Sequence, residues 1–322
     1  MSPSAIPRCG SNGPGSGPEA VTDAILYGAP APGLVEVPRG AVQVSPIILG
    51  SEDLAAMADA SANHAVILAP GGTLERDYAI AQALRVLKPG APLSVFAPKD
   101  KGGSRLKKVL EGFGCAVNED ARKHHRFCHT TRPVAPQGVD EAIAAGSPQL
   151  LPHLGLWSQP GVFSWDRVDP GSARLLELFP KLAGKGADLG CGVGVLAVRV
   201  LASPAVTDLL CVDTDRRAVA CAEHNLDDSR ARVVWADARL RDEDHSSLDF
   251  VVMNPPFHDG GSEDRALGVA FIQSAAALLH RGGVCWIVAN RHLPYEAALA
   301  AAFAEVTVRA DAGGYKIFEA RK

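Results

Sequence analysis

Residues 187–202 read ADLGCGVGVLAVRVLA, a short apolar strand that runs into three glycines and directly on into a helical period. Glycines at 190, 192 and 194 let a ligand approach the backbone closely, and the helix that follows presents unpaired N–H groups at its start. The dinucleotide fingerprint G-x-G-x-x-G requires its third glycine at 195, where this chain has Val195. The spacing is D-x-G-x-G-x-G, and Asp188, two residues before the first glycine, favours a ligand that carries a cation.

Working outward, apolar strands are expected at 185–190, 207–213, 231–237, 248–254 and 283–290, separated by helical periods such as VGVLAVRVLAS and RRAVACAEHNLD. Two further strands, 304–310 and 314–320, are joined tightly through Asp311 to Gly313. This pattern predicts an α/β unit with a seven-stranded, mostly parallel sheet that ends in a β-hairpin. The first half repeats the alternation in AILYG, AVILAPGG, DYAIAQALRVLKPG, LSVFAP and SRLKKVLEGFG. The fold expected is therefore two tandem Rossmann-like α/β domains. The division is residues 1–20 as a disordered leader, 21–135 as a first domain, 136–160 as a Pro/Gly-rich linker and 161–322 as a second domain.

Composition narrows the class. The chain has 322 residues, of which 47% are hydrophobic, enough for two cores. No apolar run reaches the ~18–20 residues that cross a bilayer. Its seven scattered cysteines form no CxxC pair, which argues against a disulfide framework or a zinc site and suits a reduced cytoplasm. No metal is expected. Two segments of the second half carry acidic residues at strand ends. Asp213, closing the second strand, suits two ribose hydroxyls, and Asp237 with the backbone of Ala238 suits an adenine edge. After the fourth strand comes Asn254-Pro255-Pro256-Phe257, where two prolines remove two backbone donors and end the pairing. An Asn254 side-chain oxygen and a Pro255 carbonyl can each take one N–H of a planar exocyclic amine, turning its lone pair outward, while Phe257 stacks on the ring. His258 reads either as a substrate contact or as a structural residue, and less readily as a general base.

This order of features resembles the class I S-adenosylmethionine (SAM) methyltransferases over residues 160–322. The resemblance implies SAM held by Asp188, Gly190, Gly192, Gly194, Asp213, Asp237 and Ala238, with Asn254, Pro255, Pro256 and Phe257 as the catalytic set. Three segments, PGVFSWDRVDPGSARLLELFP (160–180), NPPFHDGG and VANRHLPYEAALAAAF (288–303), are similar to the bacterial rRNA guanine-N2 methyltransferases of the small and large subunits. That likeness implies a degenerate methyltransferase-like domain followed by an active one, Gly171 and Ser172 beside the cofactor, and His292, Leu293 and Tyr295 near the target base. A core-filling role for the last three is the alternative.

The first half has neither the glycine spacing nor an Asn-Pro-Pro, so it is not expected to bind SAM. Between 99 and 132 it carries nine Lys/Arg (Lys99, Lys101, Arg105, Lys107, Lys108, Arg122, Lys123, Arg126, Arg132) against four acids. That net of +5, in a chain of net −4, marks a candidate phosphate-binding surface. The expectation is a cytoplasmic, monomeric SAM-dependent rRNA guanine-N2 methyltransferase acting on ribosomal RNA or a ribosomal subunit, 16S before 23S. The alternatives are a protein glutamine N5-methyltransferase and a non-enzymatic RNA-binding pseudo-methyltransferase.

Overall fold

The computed structural model describes residues 22–239, 247–256, 258–259, 262–263 and 265–322. The leader expected at 1–20, and Phe257, lie outside the described residues. The N-terminal lobe comprises β1 (Ile25–Tyr27), β2 (Val42–Gln43), β3 (Ala65–Leu68), α1 (Thr73–Val86), β4 (Pro92–Pro98), α2 (Leu106–Gly112), β5 (Asn118–Arg122) and β6 (His125–Thr131). Next come α3 (Val139–Gly146), β7 (Gln149–Leu151) and β8 (Leu156–Ser158). The C-terminal lobe follows: α4 (Pro170–Leu178), β9 (Gly184–Leu189), α5 (Val195–Leu201), β10 (Val206–Asp213), α6 (Arg216–Asn225), β11 (Ala231–Trp235) and β12 (Leu248–Met253). It closes with β13 (His258–Asp259), β14 (Ser262–Glu263), α7 (Arg265–Leu278), β15 (Leu279–Asn290), α8 (Glu296–Ala302), β16 (Glu305–Ala312) and β17 (Tyr315–Arg321).

The C-terminal sheet runs β11-β10-β9-β12-β15-β17-β16, parallel as far as β15 and antiparallel through the last two strands. This is the seven-stranded sheet with a terminal hairpin that the spacing predicts. Its centre is buried on both faces. Ala187 and Leu189 of β9 join the layer under α7 and α8, whereas Leu196, Ala197 and Val200 of α5 pack on the opposite face with Cys211 and Val252. Gly186 belongs to that packing, since a Cβ there would lie 2.1 Å from the Phe250 ring.

The N-terminal sheet runs β2-β1-β3-β4-β6-β5, again with an antiparallel hairpin at the end. It repeats the C-terminal order without a counterpart of β11. In this correspondence β3 matches β12, so Ala69-Pro70 stands where the other lobe has Asn254-Pro255. Ala69 has a methyl group in place of an amide, so this position offers no side-chain acceptor. The stretch expected as a linker, 136–160, carries structure of its own. There α3 packs on α1 so tightly that a Cβ at Gly146 would strike the Tyr78 side chain, and the β7–β8 hairpin is tied to α6 by Asn225, whose side chain pairs with the Trp157 backbone. Its Pro and Gly residues mark the ends of these short elements rather than a free connector.

The two lobes meet through Arg217 at the start of α6. Its guanidinium donates to Glu75 Oε1 at 2.7 Å, at the head of α1, and to Asp215 Oδ2 at 2.8 Å, and a third bond reaches the Gly161 carbonyl at 3.3 Å. Both ion pairs are largely buried. Taking Arg217 away leaves two carboxylates in a poorly solvated seam, so Arg217→Met should lower unfolding free energy by about 3 kcal/mol or more. Urea denaturation measures this, and a loss below about 0.5 kcal/mol, the size expected of a surface pair, would refute the seam's role.

Candidate functional site

β9 pairs with β10 on one side and β12 on the other, so the strand order reverses between β9 and β12. Loops leaving the carboxyl ends of such a pair diverge and open a crevice, the usual ligand position in open α/β sheets. Here the glycine loop leaves β9 and Asn254-Pro255-Pro256 leaves β12. A cavity of about 270 Å³ lies between them, lined by Phe163, Gly190, Gly192, Val212, Asp213, Thr214, Ala236, Ala238, Asn254, Pro255, Pro256 and Phe271.

Gly190, Gly192 and Gly194 have φ of +74°, +54° and +90°, a region side chains disfavour, and this explains why glycine stands at each. The loop is held from beneath. Asp213 Oδ2 accepts the Gly192 N–H at 2.8 Å, Asp213 Oδ1 accepts the Asp215 N–H at 2.8 Å, and Val212 O accepts from both Gly190 and Cys191. Each Asp213 oxygen keeps a lone pair for a ligand hydroxyl. Burial, partly offset by these backbone bonds, raises its pKa.

The predicted residues separate into two groups. Gly190, Gly192, Asp213, Ala238, Asn254, Pro255 and Pro256 share the cavity. Gly194 does not line it and instead caps α5 against Leu226. Asp237 turns away, held by Arg239, whose guanidinium bonds both carboxylate oxygens at 2.6–3.0 Å and by those hydrogen bonds lowers the Asp237 pKa. Its neighbours Ala236 and Ala238 line the cavity, whereas Asp237 does not. The Ala238 carbonyl is fixed by Ser274 Oγ at 2.5 Å. Leu293 and Tyr295 are each 1% exposed and sit in the core with α7 and α8, so the core-filling alternative describes them.

Asp188 is also absent from the lining. It is fully buried on β9 beside Cys211 and Val252, and neither carboxylate oxygen meets a well-formed hydrogen bond. Burial first, and then the Asp213 charge, push its pKa up to about 8, with the Ala197 N–H acting weakly the other way. The glycine loop lies between it and the cavity.

Asn254 is held more firmly than its motif suggests. Its Nδ2 donates to Asp169 Oδ2 and to Ser172 Oγ, both at 2.9 Å. A carboxylate only accepts, so the amide orientation is unambiguous and Oδ1 is left for another donor. The sequence reading missed Asp169, although Asp-Pro-Gly-Ser is a helix-start pattern with Pro at the first position. It also missed Phe163, 61% exposed yet lining the cavity, and an aromatic residue following Gly161 in a loop was the available signal.

Residues 153–319 match the methyltransferase small domain family. The chain is 34% identical over 255 residues to the ribosomal RNA small subunit methyltransferase C of Shewanella loihica, covering 76% of this chain and 73% of that one. The chain belongs to this methyltransferase family. A second family member, from Shewanella piezotolerans, is 38% identical over 241 residues, with 72% and 69% of the two chains covered. The family fold extends to both lobes. A T. thermophilus 16S rRNA N2 methyltransferase, solved with AdoMet and guanosine, matches with a TM-score of 0.70 and 27% identity over 88% of this chain and 76% of its own.

The raised Asp188 pKa has a consequence for stability. With a folded-state pKa of about 8 and an unfolded value near 3.9, the folded chain holds an extra proton between those limits. Its contribution is full below about pH 4 and is lost as pH rises toward about 8. The melting temperature of the ligand-free protein should fall from pH 5 to 8, and Asp188→Asn should flatten that slope. Equal slopes in both proteins would rule the assignment out.

Proposed function

We propose that this protein transfers a methyl group from SAM to the exocyclic N2 amine of a guanosine in 16S rRNA. The observation that carries the reading is the Asn254 amide. Both of its N–H bonds are engaged by Asp169 and Ser172, so its oxygen is an oriented acceptor at the rim of a glycine-loop cavity. The family and its named rRNA methyltransferases support the same reaction class.

The cavity fits the cofactor. Gly190 and Gly192 admit an amino-acid tail close to the backbone, Asp213 offers two acceptors to ribose hydroxyls, and Ala236, Ala238 and Phe271 provide an apolar bed for a base. When bound, SAM supplies an electrophilic methyl group on a sulfonium centre. The chain's own part is positioning and electrostatics. Asn254 Oδ1 accepts one N–H of the target amine and the Pro255 carbonyl the other, which draws the nitrogen out of conjugation with its ring. Proline at 255 and 256 contributes no N–H to compete for those acceptors. Phe257 is the stacking surface in this reading, and the product's extra proton leaves to water.

The catalytic domain in this reading is 161–322, and 21–135 is a degenerate domain that docks RNA, with 136–160 between them. On the N-terminal lobe Lys99, Arg105, Lys107, Lys108, Arg122 and Lys123 are exposed, whereas Arg132 is turned inward to the Leu84 carbonyl. Arg122 lies 4.3 Å over the ring of Phe127, which is itself buried, so the edge hairpin turns charge rather than aromatic surface outward. The target base must leave its stack to reach Asn254, which favours flexible rRNA or a partly assembled subunit. A monomer in the cytoplasm, without a metal, completes the proposal. No helix among the described residues is long and apolar enough to cross a membrane.

Labelled SAM, incubated with unmodified 16S and 23S rRNA and with subunits, should place label in N2-methylguanosine of 16S rRNA. Label in no nucleoside, despite SAM binding, would overturn the rRNA reading and turn attention to protein glutamine. Asn254→Ala should cut transfer at least about 100-fold while SAM affinity holds, and Asp213→Ala should weaken SAM binding itself. Isothermal titration separates the two roles, and equal loss of SAM affinity in both variants would collapse them into one. Lys107→Glu with Lys108→Glu should weaken RNA binding and reduce its salt dependence, read by filter binding across a salt series.

A further inference from the structure

The geometry points to Asp169 as a positioning residue for the methyl-transfer step, acting through Asn254; this deepens the methyltransferase reading and rests on it. One oxygen, Asp169 Oδ2, does two things. It accepts the Ser172 N–H at 2.9 Å as the N-cap of α4, and it accepts Asn254 Nδ2 at 2.9 Å. Asn254 is thereby fastened to the start of a helix 85 positions earlier in the chain. Ser172 Oγ takes the second amide hydrogen, so the side chain cannot flip and present nitrogen to the substrate.

Space around Asp169 is equally restricted. A Cβ at Gly171 would come within 2.9 Å of the Tyr315 ring and 3.0 Å of Asp169 Oδ2, so a side chain there would crowd both groups. Tyr315 registers that charge, as burial first and Asp169 second raise its pKa.

The chemistry gives the pair a purpose beyond orientation. Hydrogen bonds from the amide N–H to a carboxylate push electron density toward the amide oxygen, and charge-assisted bonds are the stronger kind. During transfer the positive charge moves from sulfur to the amine nitrogen, and that nitrogen's N–H bonds become better donors. An Asn254 oxygen enriched by Asp169 meets that change with a stronger acceptor, so its effect is larger in the transition state than in the ground state.

The test separates this role from helix capping, because Asn caps a helix about as well as Asp. Asp169→Asn should leave the melting temperature and SAM affinity unchanged within error while slowing single-turnover transfer to 16S rRNA by about tenfold. In an Asn254→Ser background, where no amide remains to be oriented, the same change should cost much less. A second readout needs no activity: with 15N-asparagine labelling, the Asn254 side-chain NH2 signal, assigned by its loss in Asn254→Ser, should shift in Ser172→Ala and in Asp169→Asn. If the signal stays in place in both, or if Asp169→Asn costs the same with and without Asn254, the positioning role is overturned. If the wild-type protein transfers nothing to rRNA but the signal moves, the rRNA reading fails and the Asp169–Asn254 coupling stands.

Discussion

The pairing of β9 with β12 is the constraint on which the site depends. These strands are distant in sequence, and their parallel register, Asp188 opposite Val252 and Leu189 opposite Met253, brings their carboxyl ends level. One strand then releases a glycine loop and the other an Asn-Pro-Pro turn at the same height. With β10 on the far side of β9, the Asp213 carboxylate arrives beneath that loop and ties it down through Gly192. The cavity is what remains when two loops leave a sheet in diverging directions.

Polar groups around this opening are arranged in two tiers. Asp213 and Asn254 face the cavity, each with some of its hydrogen-bonding capacity used by the protein and some left over. Behind them, Asp169 and Ser172 hold the amide, while Asp188 lies buried with its carboxylate poorly satisfied. A buried acid beside a ligand loop costs stability when it is charged.

The N-terminal lobe repeats the sheet of the second lobe without its Asn-Pro-Pro turn. Its strand order follows that of the second lobe, yet Ala69 stands where Asn254 does. The lobe is not merely tethered, because Arg217 ties Glu75 of α1 to Asp215, two residues beyond Asp213, and Arg216 reaches Ser51 at 2.5 Å while stacking over Trp235 at 4.6 Å. The seam between the lobes therefore abuts the strand end that supports the glycine loop.

Much of this was legible in the chain itself. Period-two apolar runs and glycine spacing are local properties, and so the strands, the terminal hairpin, the glycine loop, Asp213 and the Asn-Pro-Pro turn could be read without coordinates. Burial and pairing are not local. Nothing in the order of residues says that Asp188 lies behind the cavity rather than in it, or that Leu293 and Tyr295 point into the core. The same holds for Asp169 and Asn254, which meet only because α4 packs on β15 and β17 and so brings its first turn to the end of neighbouring β12. The sequence alone determined which elements form and which chemistry they carry, because propensity and pattern act over a few residues; the tertiary structure decided which side chains face the ligand, because that depends on packing between elements far apart in the chain.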